Sequence, residues 1–445
     1  MLARILQSSC KSSGLCNAAW AGMTFGRDLS TSERHPSSES AGLGQKDESI
    51  RSDSDVCILS VARTPLGAFQ GSLSPLSATQ LGSFAIRGAV ERAALSGNVG
   101  RVDEVFMGNV LSANLGQAPA KQASLGAGLS HSTPCTTINK VCASGMKAVM
   151  MAAQSIKAGC TDVVVAGGME SMSNVPYYLP AARSGLRMGD TQCVDGMIKD
   201  GLRDPYFDIH MGNCGEECAE AYGVTRLAQD GCAVESFKRA IKSKEVLDWE
   251  RVPVEVFDKK GMELVNFDEC VGKFDEEKLR GLKPVFQSEG GTITPGNSSQ
   301  ISDGAAAVVL ARRSKAAELN LPILGRIVSM ADAAQEPKWF TTSPSLAYNK
   351  ALDLAGMTGD EIDYVEINQA FAVVDLVNQG MLGLDSERVN VLGGAIALGH
   401  PIGCSGARLV VTLMNVLRVN EGRYGAAAIC NGGGGASAVV IEREP

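Results

Sequence analysis

Asn139-Lys-Val-Cys142-Ala-Ser-Gly145 runs straight into Met146-Lys-Ala-Val-Met-Met-Ala-Ala-Gln-Ser-Ile156. The first stretch closes a β-branched, Pro-containing run. In the second, Met146, Val149, Met150, Ala153 and Ile156 recur at helical spacing. Ala-Ser-Gly is small enough for a tight strand-to-helix turn, which places Cys142 at or near a helix N-terminus. Free N–H groups and the helix dipole there favour an anion, so the spacing predicts a lowered thiol pKa and a nucleophilic role. A small apolar filler is the competing reading of any single free cysteine.

Working outward, the chain of 445 residues is 44% hydrophobic, enough for a large core and more than one domain. A net charge of −8 without a basic block argues against nucleic acid or an anionic membrane as partner. No apolar run stands out as a bilayer span. Thirteen scattered cysteines, several inside apolar patterns, read as thiols of a reducing compartment. Cys214 and Cys218 are spaced i, i+4, but no histidine or second cysteine pair completes a zinc site, so no metal is expected. Four histidines exclude a site that needs several.

Residues 1–27 carry Arg4, Lys11 and Arg27, no acid, many serines and an apolar face of Leu2, Ile5 and Leu6. This pattern fits a mitochondrial transit peptide and the matrix as destination, with a ragged terminus as the plainer alternative. Residues 28–54 are polar and Ser/Gly-rich and read as a linker. Strand patterns then alternate with helical ones from Val56, with helices expected over 77–95, 213–222, 226–244 and 407–417, so an α/β layered protein is expected. Residues 55–173 read as an N-terminal half, 174–285 as an inserted loop domain of more charged composition, 286–312 as the end of the first half and 313–445 as a C-terminal half. Three landmarks recur in order: Asp103 with Asp363, Cys142 with Cys404, and Gly167 with Gly432. Their spacings are 39 and 25 residues in the first half against 41 and 28 in the second. Such a match suggests a duplicated unit, with chance similarity of strand–turn–helix segments as the alternative.

Three C-terminal stretches join Cys142 as candidates for chemistry. They are Glu366-Ile-Asn368-Gln-Ala-Phe371, Gly399-His400-Pro-Ile-Gly403, and Cys430-Asn-Gly432-Gly-Gly-Gly435. His400 is flanked by backbone flexibility rather than by packing residues. The Gly run after Cys430 leads directly into an apolar strand, so it reads as a loop that lets a ligand approach the backbone. With Gly167-Gly-Met-Glu-Ser-Met-Ser173, these motifs resemble the thiolase family over about residues 55–445, on its short-chain, acetoacetyl-CoA branch.

The resemblance implies a layered αβαβα fold of duplicated halves with an inserted loop domain. It also implies reversible, ping-pong condensation of two acetyl-CoA to acetoacetyl-CoA and CoA. Cys142 would become acetylated and His400 would take its proton. Cys430 would move the proton on the α-carbon of the second acetyl-CoA. Asn368 would position a water that forms one oxyanion hole with His400, and the backbone N–H groups of Cys142 and Gly432 would form the other. His210, Met211, Lys278 and Ser299 match coenzyme A contacts. A homotetramer without a permanent cofactor is implied. Rivals are a longer- or branched-chain 3-ketoacyl-CoA thiolase, a ketoacyl or 3-hydroxy-3-methylglutaryl-CoA synthase, and a non-catalytic CoA- or lipid-binding relative. The chain departs from the pattern at three places. Gln369 replaces a common Glu, Phe237 stands where potassium-activated members carry Tyr, and Phe340-Thr341 replaces Phe-Pro. Phe237 therefore argues against potassium activation, and the resemblance leaves acceptance of a 2-methyl-branched substrate open.

Overall fold

The computed structural model describes residues 51–97, 99–258 and 261–445. The leader of residues 1–27 and most of the expected linker lie outside the described residues. The last linker residues are tied to the body: Ser314 N–H donates to the Asp53 carbonyl at 3.1 Å, and Arg51 pairs with Glu444 at 2.8 Å.

The first half runs β1 (Val56–Arg63), α1 (Ala78–Arg92), β2 (Glu104–Gly108), β3 (Cys135–Ile138), α2 (Ser144–Lys157) and β4 (Val163–Ser171). The chain then leaves the sheet, forms α3 (Met211–Ala221) and α4 (Arg226–Lys242), and rejoins it as β5 (Ser302–Arg312). The second half runs β6 (Gly325–Ala334), α5 (Ser343–Ala355), β7 (Tyr364–Ile367), α6 (Ala372–Leu382), α7 (Ile402–Val419), β8 (Tyr424–Asn431) and β9 (Gly435–Arg443). The strands hydrogen-bond in the order β7-β8-β9-β6-β1-β5-β4-β2-β3.

Each half repeats one pattern. Its first strand pairs antiparallel with its last, that strand pairs antiparallel with the next, and the fourth joins in parallel. Within the sheet, the halves join where Cys57 and Ile58 of β1 pair with Arg326 and Gly325 of β6.

Small irregularities repeat as well. β1 shifts register between Ile58 and Ser60, and β6 between Ile327 and Ser329. At each bulge the serine hydroxyl donates 2.6 Å to a carbonyl of the covering helix, Ser60 to Ala89 and Ser329 to Ala351. Asp103 accepts from the N–H groups of Asp162 and Val163, as Asp363 does from Arg423 and Tyr424. A bulge is a specific backbone device, so finding it twice with the same serine contact supports duplication over chance.

The structure also corrects the alignment of the two halves. Helices α2 and α7 cross where a methyl group on Gly145 would sit 2.7 Å from the Ala407 nitrogen, and one on Gly406 would sit 2.4 Å from the Met146 nitrogen. Gly145 and Gly406 are therefore counterparts, which makes Cys404 the counterpart of Ala143 rather than of Cys142. Gly167 lies inside β4 opposite Ala307, whereas Gly432 lies beyond the end of β8.

These two helices form the middle layer. Met146, Val149, Ile156, Leu409, Val410 and Leu413 are at most 1% exposed and pack against Val164, Val308, Ile429 and Val439 of the strands. Each fully buried side chain of this size contributes about 1.5–3 kcal/mol. Helix α7 is long and apolar enough to cross a bilayer, unlike the expectation from the sequence, but 89% of it is buried within the protein. The core layer, not a membrane, takes its apolar surface. Helices α1 and α5 cover the outer faces of the two half-sheets.

Candidate functional site

The N-terminal end of α2 and the turn leading into α7 converge on one enclosed site. Cys142 sits in the turn between β3 and α2. Val141 before it has φ +48°, a conformation that a β-branched residue adopts only under constraint. Ser144 is the latch: its Oγ accepts from Lys140 N–H at 2.8 Å and donates to the Val141 carbonyl at 2.6 Å. The Cys142 side chain packs against Val110, Leu111, Met172 and Ile402.

Cys430 is the last residue but one of β8, fully buried. Asn431 pairs with Gly435, so Gly432, Gly433 and Gly434 make the hairpin turn into β9, with φ +85° and +81° at Gly433 and Gly434. The glycine run thus meets a turn requirement as well as bringing backbone close to the nucleophile. The backbone N–H groups of Gly432 and Cys142 both favour the Cys142 thiolate, and a methyl group on Gly432 would lie 3.6 Å from Val141 Cγ1 in the Cys142 turn.

His400 follows Gly399 in the turn before α7. Its Nδ1 lies 2.5 Å from Ser405 Oγ, whose proton goes to the Pro401 carbonyl at 3.0 Å. Ser405 therefore accepts from Nδ1–H, leaving the Nε2 lone pair free. Nε2 lies 3.4 Å from Asn368 Nδ2. Asn368 is fully buried and its Oδ1 has no protein partner, an arrangement that suits an ordered water.

The electrostatics differ from the sequence expectation. Burial outweighs the N–H donors and pushes the Cys142 thiol up to about 12, with Glu170 adding to the rise. Burial also raises the Cys430 thiol well above its ordinary value and, with help from Arg408, lowers His400 to about 3. The resting site is a set of neutral thiols and a neutral imidazole. The helix terminus is too weak, at roughly 0.3–2 kcal/mol, to ionise a buried sulfur.

A cavity of about 640 Å³ opens beside His400 and Ile402. His210, Lys278 and Ser299 line it, together with Phe237, Phe274, Phe286 and Lys273. His210 stacks on Phe286 at 4.7 Å, and Phe237 on Phe274 at 4.7 Å. Met211 lies elsewhere. It is buried with Cys430, Ile293 and Phe371, and a methyl group on Gly432 would lie 3.8 Å from its Cε. It therefore closes the inner end of the site rather than the outer cavity.

Two acidic residues were given no role from sequence. Glu170 is fully buried and accepts from Asn109 Nδ2 and the N–H groups of Val110, Leu111 and Gly403, at 2.8–3.2 Å. It thereby fixes the first turn of α7 next to the Cys142 loop. Asp375 accepts from Gln369, Gln379 and Asn390 amides at 2.6, 2.8 and 3.3 Å. Asp375, six residues further on in the first turn of α6, carries the acid that Gln369 lacks, and the amide is what Asp375 requires. A Glu inside a Gly-Gly-Met-Glu motif was the available signal for the first; nothing local marked the second.

Among the described residues, no group of three or more His, Cys, Asp or Glu side chains could hold a metal ion, and all eleven described cysteines are free. Cys214 and Cys218 are buried with Phe340 and Val373.

Comparison with known proteins agrees with this geometry. Residues 56–314 match the family model "Thiolase, N-terminal domain" and residues 321–443 match "Thiolase, C-terminal domain". The chain is 58% identical to Acetyl-CoA acetyltransferase 1 of Arabidopsis thaliana, over 87% of this chain and 94% of that one. It is 50% identical to the cytosolic Acetyl-CoA acetyltransferase ERG10 of Gibberella zeae, over 87% and 98%. The Acat5 thiolase from Ascaris suum, solved in complex with coenzyme A, superposes with a TM-score of 0.83 at 43% identity, over 88% of this chain and 100% of that one. With both family domains matched in order around the paired cysteines, His400 and Asn368, the chain belongs to the thiolase family.

Proposed function

We propose that this chain is an acetyl-CoA C-acetyltransferase that joins two acetyl-CoA into acetoacetyl-CoA and CoA, and runs the reverse cleavage, through an acetyl-Cys142 intermediate. The observation that carries the reading is the Gly432 backbone set against the Cys142 turn, 3.6 Å from Val141 Cγ1 for an added methyl group, with Cys430 fully buried two residues before it. In the first half-reaction the Cys142 sulfur bonds to the thioester carbon while His400 Nε2 takes the thiol proton. The C–S bond to CoA breaks, and the CoA sulfur takes the Cys430 proton, which leaves Cys430 a thiolate and His400 protonated. In the second, the Cys430 thiolate takes a proton from the α-carbon of the next acetyl-CoA. The carbanion forms a C–C bond to the acetyl group, and the Cys142 sulfur leaves and regains its proton from His400.

Each step puts charge on a thioester oxygen. The N–H groups of Cys142 and Gly432 serve one oxygen, and His400 with a water on Asn368 serves the other. Preorganised donors are worth most where water is excluded, so the burial that keeps the thiols neutral also strengthens these donors. His210, Lys278 and Ser299 would hold coenzyme A in the cavity, with residues 174–285 as the loop domain. No permanent cofactor is required, and Phe237, stacked on Phe274 without an oxygen to offer, argues against potassium activation.

The composition of residues 1–27 supports a mitochondrial matrix location, tested by import into isolated mitochondria; retention outside would move the protein to the cytosol. Exposed Tyr177, Leu179, Leu186, Met188, Tyr206 and Phe207 support assembly into a homotetramer, tested by light scattering. The primary experiment is acetoacetyl-CoA cleavage with free CoA by wild type and Cys142→Ser, in matched sodium and potassium. Loss of cleavage in the variant supports the nucleophile. Stimulation by potassium would overturn the Phe237 argument alone. Faster cleavage of longer 3-ketoacyl chains would favour a longer-chain thiolase.

A further inference from the structure

Glu366 lies on β7 two residues before Asn368. Asn368 N–H still donates to the Ala428 carbonyl at 3.0 Å, so strand alternation carries through and both side chains stand on one face. Arg408 lies on α7 three residues beyond Ser405, on the same helical face as the hydroxyl that holds His400. Glu366 Oε2 and Arg408 Nη1 meet at 3.3 Å, each side chain 1% exposed.

The contact is a poor ion pair. Glu366 Oε1 and Arg408 Nε and Nη2 have no protein partner, although a guanidinium can grip a carboxylate with two parallel bonds. Buried pairs of this kind add little to stability over apolar replacements. What the pair does is span the gap between the strand that carries Asn368 and the helix that holds His400. One turn further along α7, Thr412 Oγ1 donates to Glu250 at 3.0 Å. Glu250 in turn accepts from Arg63, which grips Asp268 at 2.7 and 2.9 Å. Asp268 lies two residues before Cys270, which lines the cavity. The helix is thus tied on one side to Asn368 and on the other to the cavity wall.

We propose that Glu366 and Arg408 are positioning residues for the reaction, setting the Asn368 amide against the His400 imidazole so that the two can share one oxyanion. The proposal rests on the reading of Asn368 and His400 given above.

The test is steady-state cleavage of acetoacetyl-CoA by free CoA, using the full chain as Glu366→Gln, Arg408→Lys, the double variant Glu366→Leu/Arg408→Met, and Asn368→Ala. A displacement of the order of 1 Å at a reacting group costs about 100-fold in rate. We expect kcat to fall about 10- to 100-fold in all three pair variants, with KM for CoA within twofold of wild type. Arg408→Lys should be the least affected, because it keeps the charge. A double variant that folds and regains wild-type kcat would overturn the proposal, because an apolar pair can replace a structural role but not a positional one. If the single variants are insoluble, the kcat of the double variant decides. If it too is insoluble, the pair serves the fold and the proposal fails. Asn368→Ala at full activity would remove the site reading and the proposal together. Loss in Asn368→Ala with wild-type kcat in the pair variants would remove only the proposal.

Discussion

Gln369→Glu exchanges one nitrogen for oxygen and tests the buried cage around Asp375. Gln369 Nε2 donates to Asp375 Oδ2 at 2.6 Å, while its Oε1 accepts from Ser236 Oγ at 2.7 Å, and both side chains are 2% exposed. Glutamate keeps the acceptor for Ser236 but sets a carboxylate against a carboxylate. At that separation two full charges repel by about 6 kcal/mol at an effective dielectric constant of 20. Proton uptake is cheaper. Holding one glutamate protonated at pH 7.5, against an unfolded pKa of about 4.3, costs about 4 kcal/mol. The penalty should therefore settle near that lower figure. The introduced group has a raised folded pKa, so its destabilisation is full at pH 7.5 and shrinks as pH falls. At pH 5.5 it should be about 1.6 kcal/mol. Urea unfolding of wild type and variant at both pH values reads the difference. A penalty that does not change with pH would refute the reasoning, because lost packing rather than charge would then be its source. No penalty at all would show that Asp375 does not hold a buried negative charge.

Replacing His400 with Asn should flatten the acid side of the stability curve. Burial lowers its folded pKa to about 3. The unfolded chain alone therefore gains this proton below about pH 6.5, and wild type should lose about 2 kcal/mol by pH 5 that the variant keeps. Urea midpoints at pH 7.5 and 5 measure it, and parallel curves would contradict it. Gly406→Ala should cost about 3 kcal/mol or prevent folding, since the added methyl meets the Met146 nitrogen at 2.4 Å; a thermal melt within 2 °C of wild type would contradict the close crossing. Ser144→Ala removes the two bonds that the Ser144 hydroxyl makes in the Cys142 turn and should lower kcat about tenfold with little change in KM for CoA. An unchanged kcat would mean that the strained φ at Val141 is held by other contacts.

The α/β alternation, the Cys142 turn and the Gly-rich loops were legible because each rests on local chemistry: periodic apolar residues, small residues at turns, glycine where the backbone must bend. The helix expected over 407–417 runs over Ile402–Val419, starting a turn early because the Pro401 carbonyl accepts from Cys404 and Ser405. What sequence reasoning missed depends on residues far apart in the chain. Glu170 meets Gly403 across 233 residues, and Gln369 meets Ser236 across 133. No local pattern carries such pairings. The expected drop in the Cys142 pKa failed for a related reason: the helix terminus is visible in the sequence, whereas the packing of Val110, Leu111, Met172 and Ile402 around the thiol is not. The repeat was legible in outline, but its register was not, because only the glycine crossing shows that Cys404 answers to Ala143.

That crossing has a consequence for how the protein fails. The nucleophile comes from the first half, while the imidazole, the second cysteine and the amide come from the other, and two strand residues on each side join the sheets. Neither half owns a working set of groups. Any separation of α2 from α7 at Gly145 and Gly406 disassembles the chemistry while each half-sheet, with its own covering helix, can remain intact. Catalysis is then the most fragile property of the molecule: on heating or in denaturant, activity should vanish before the secondary structure does.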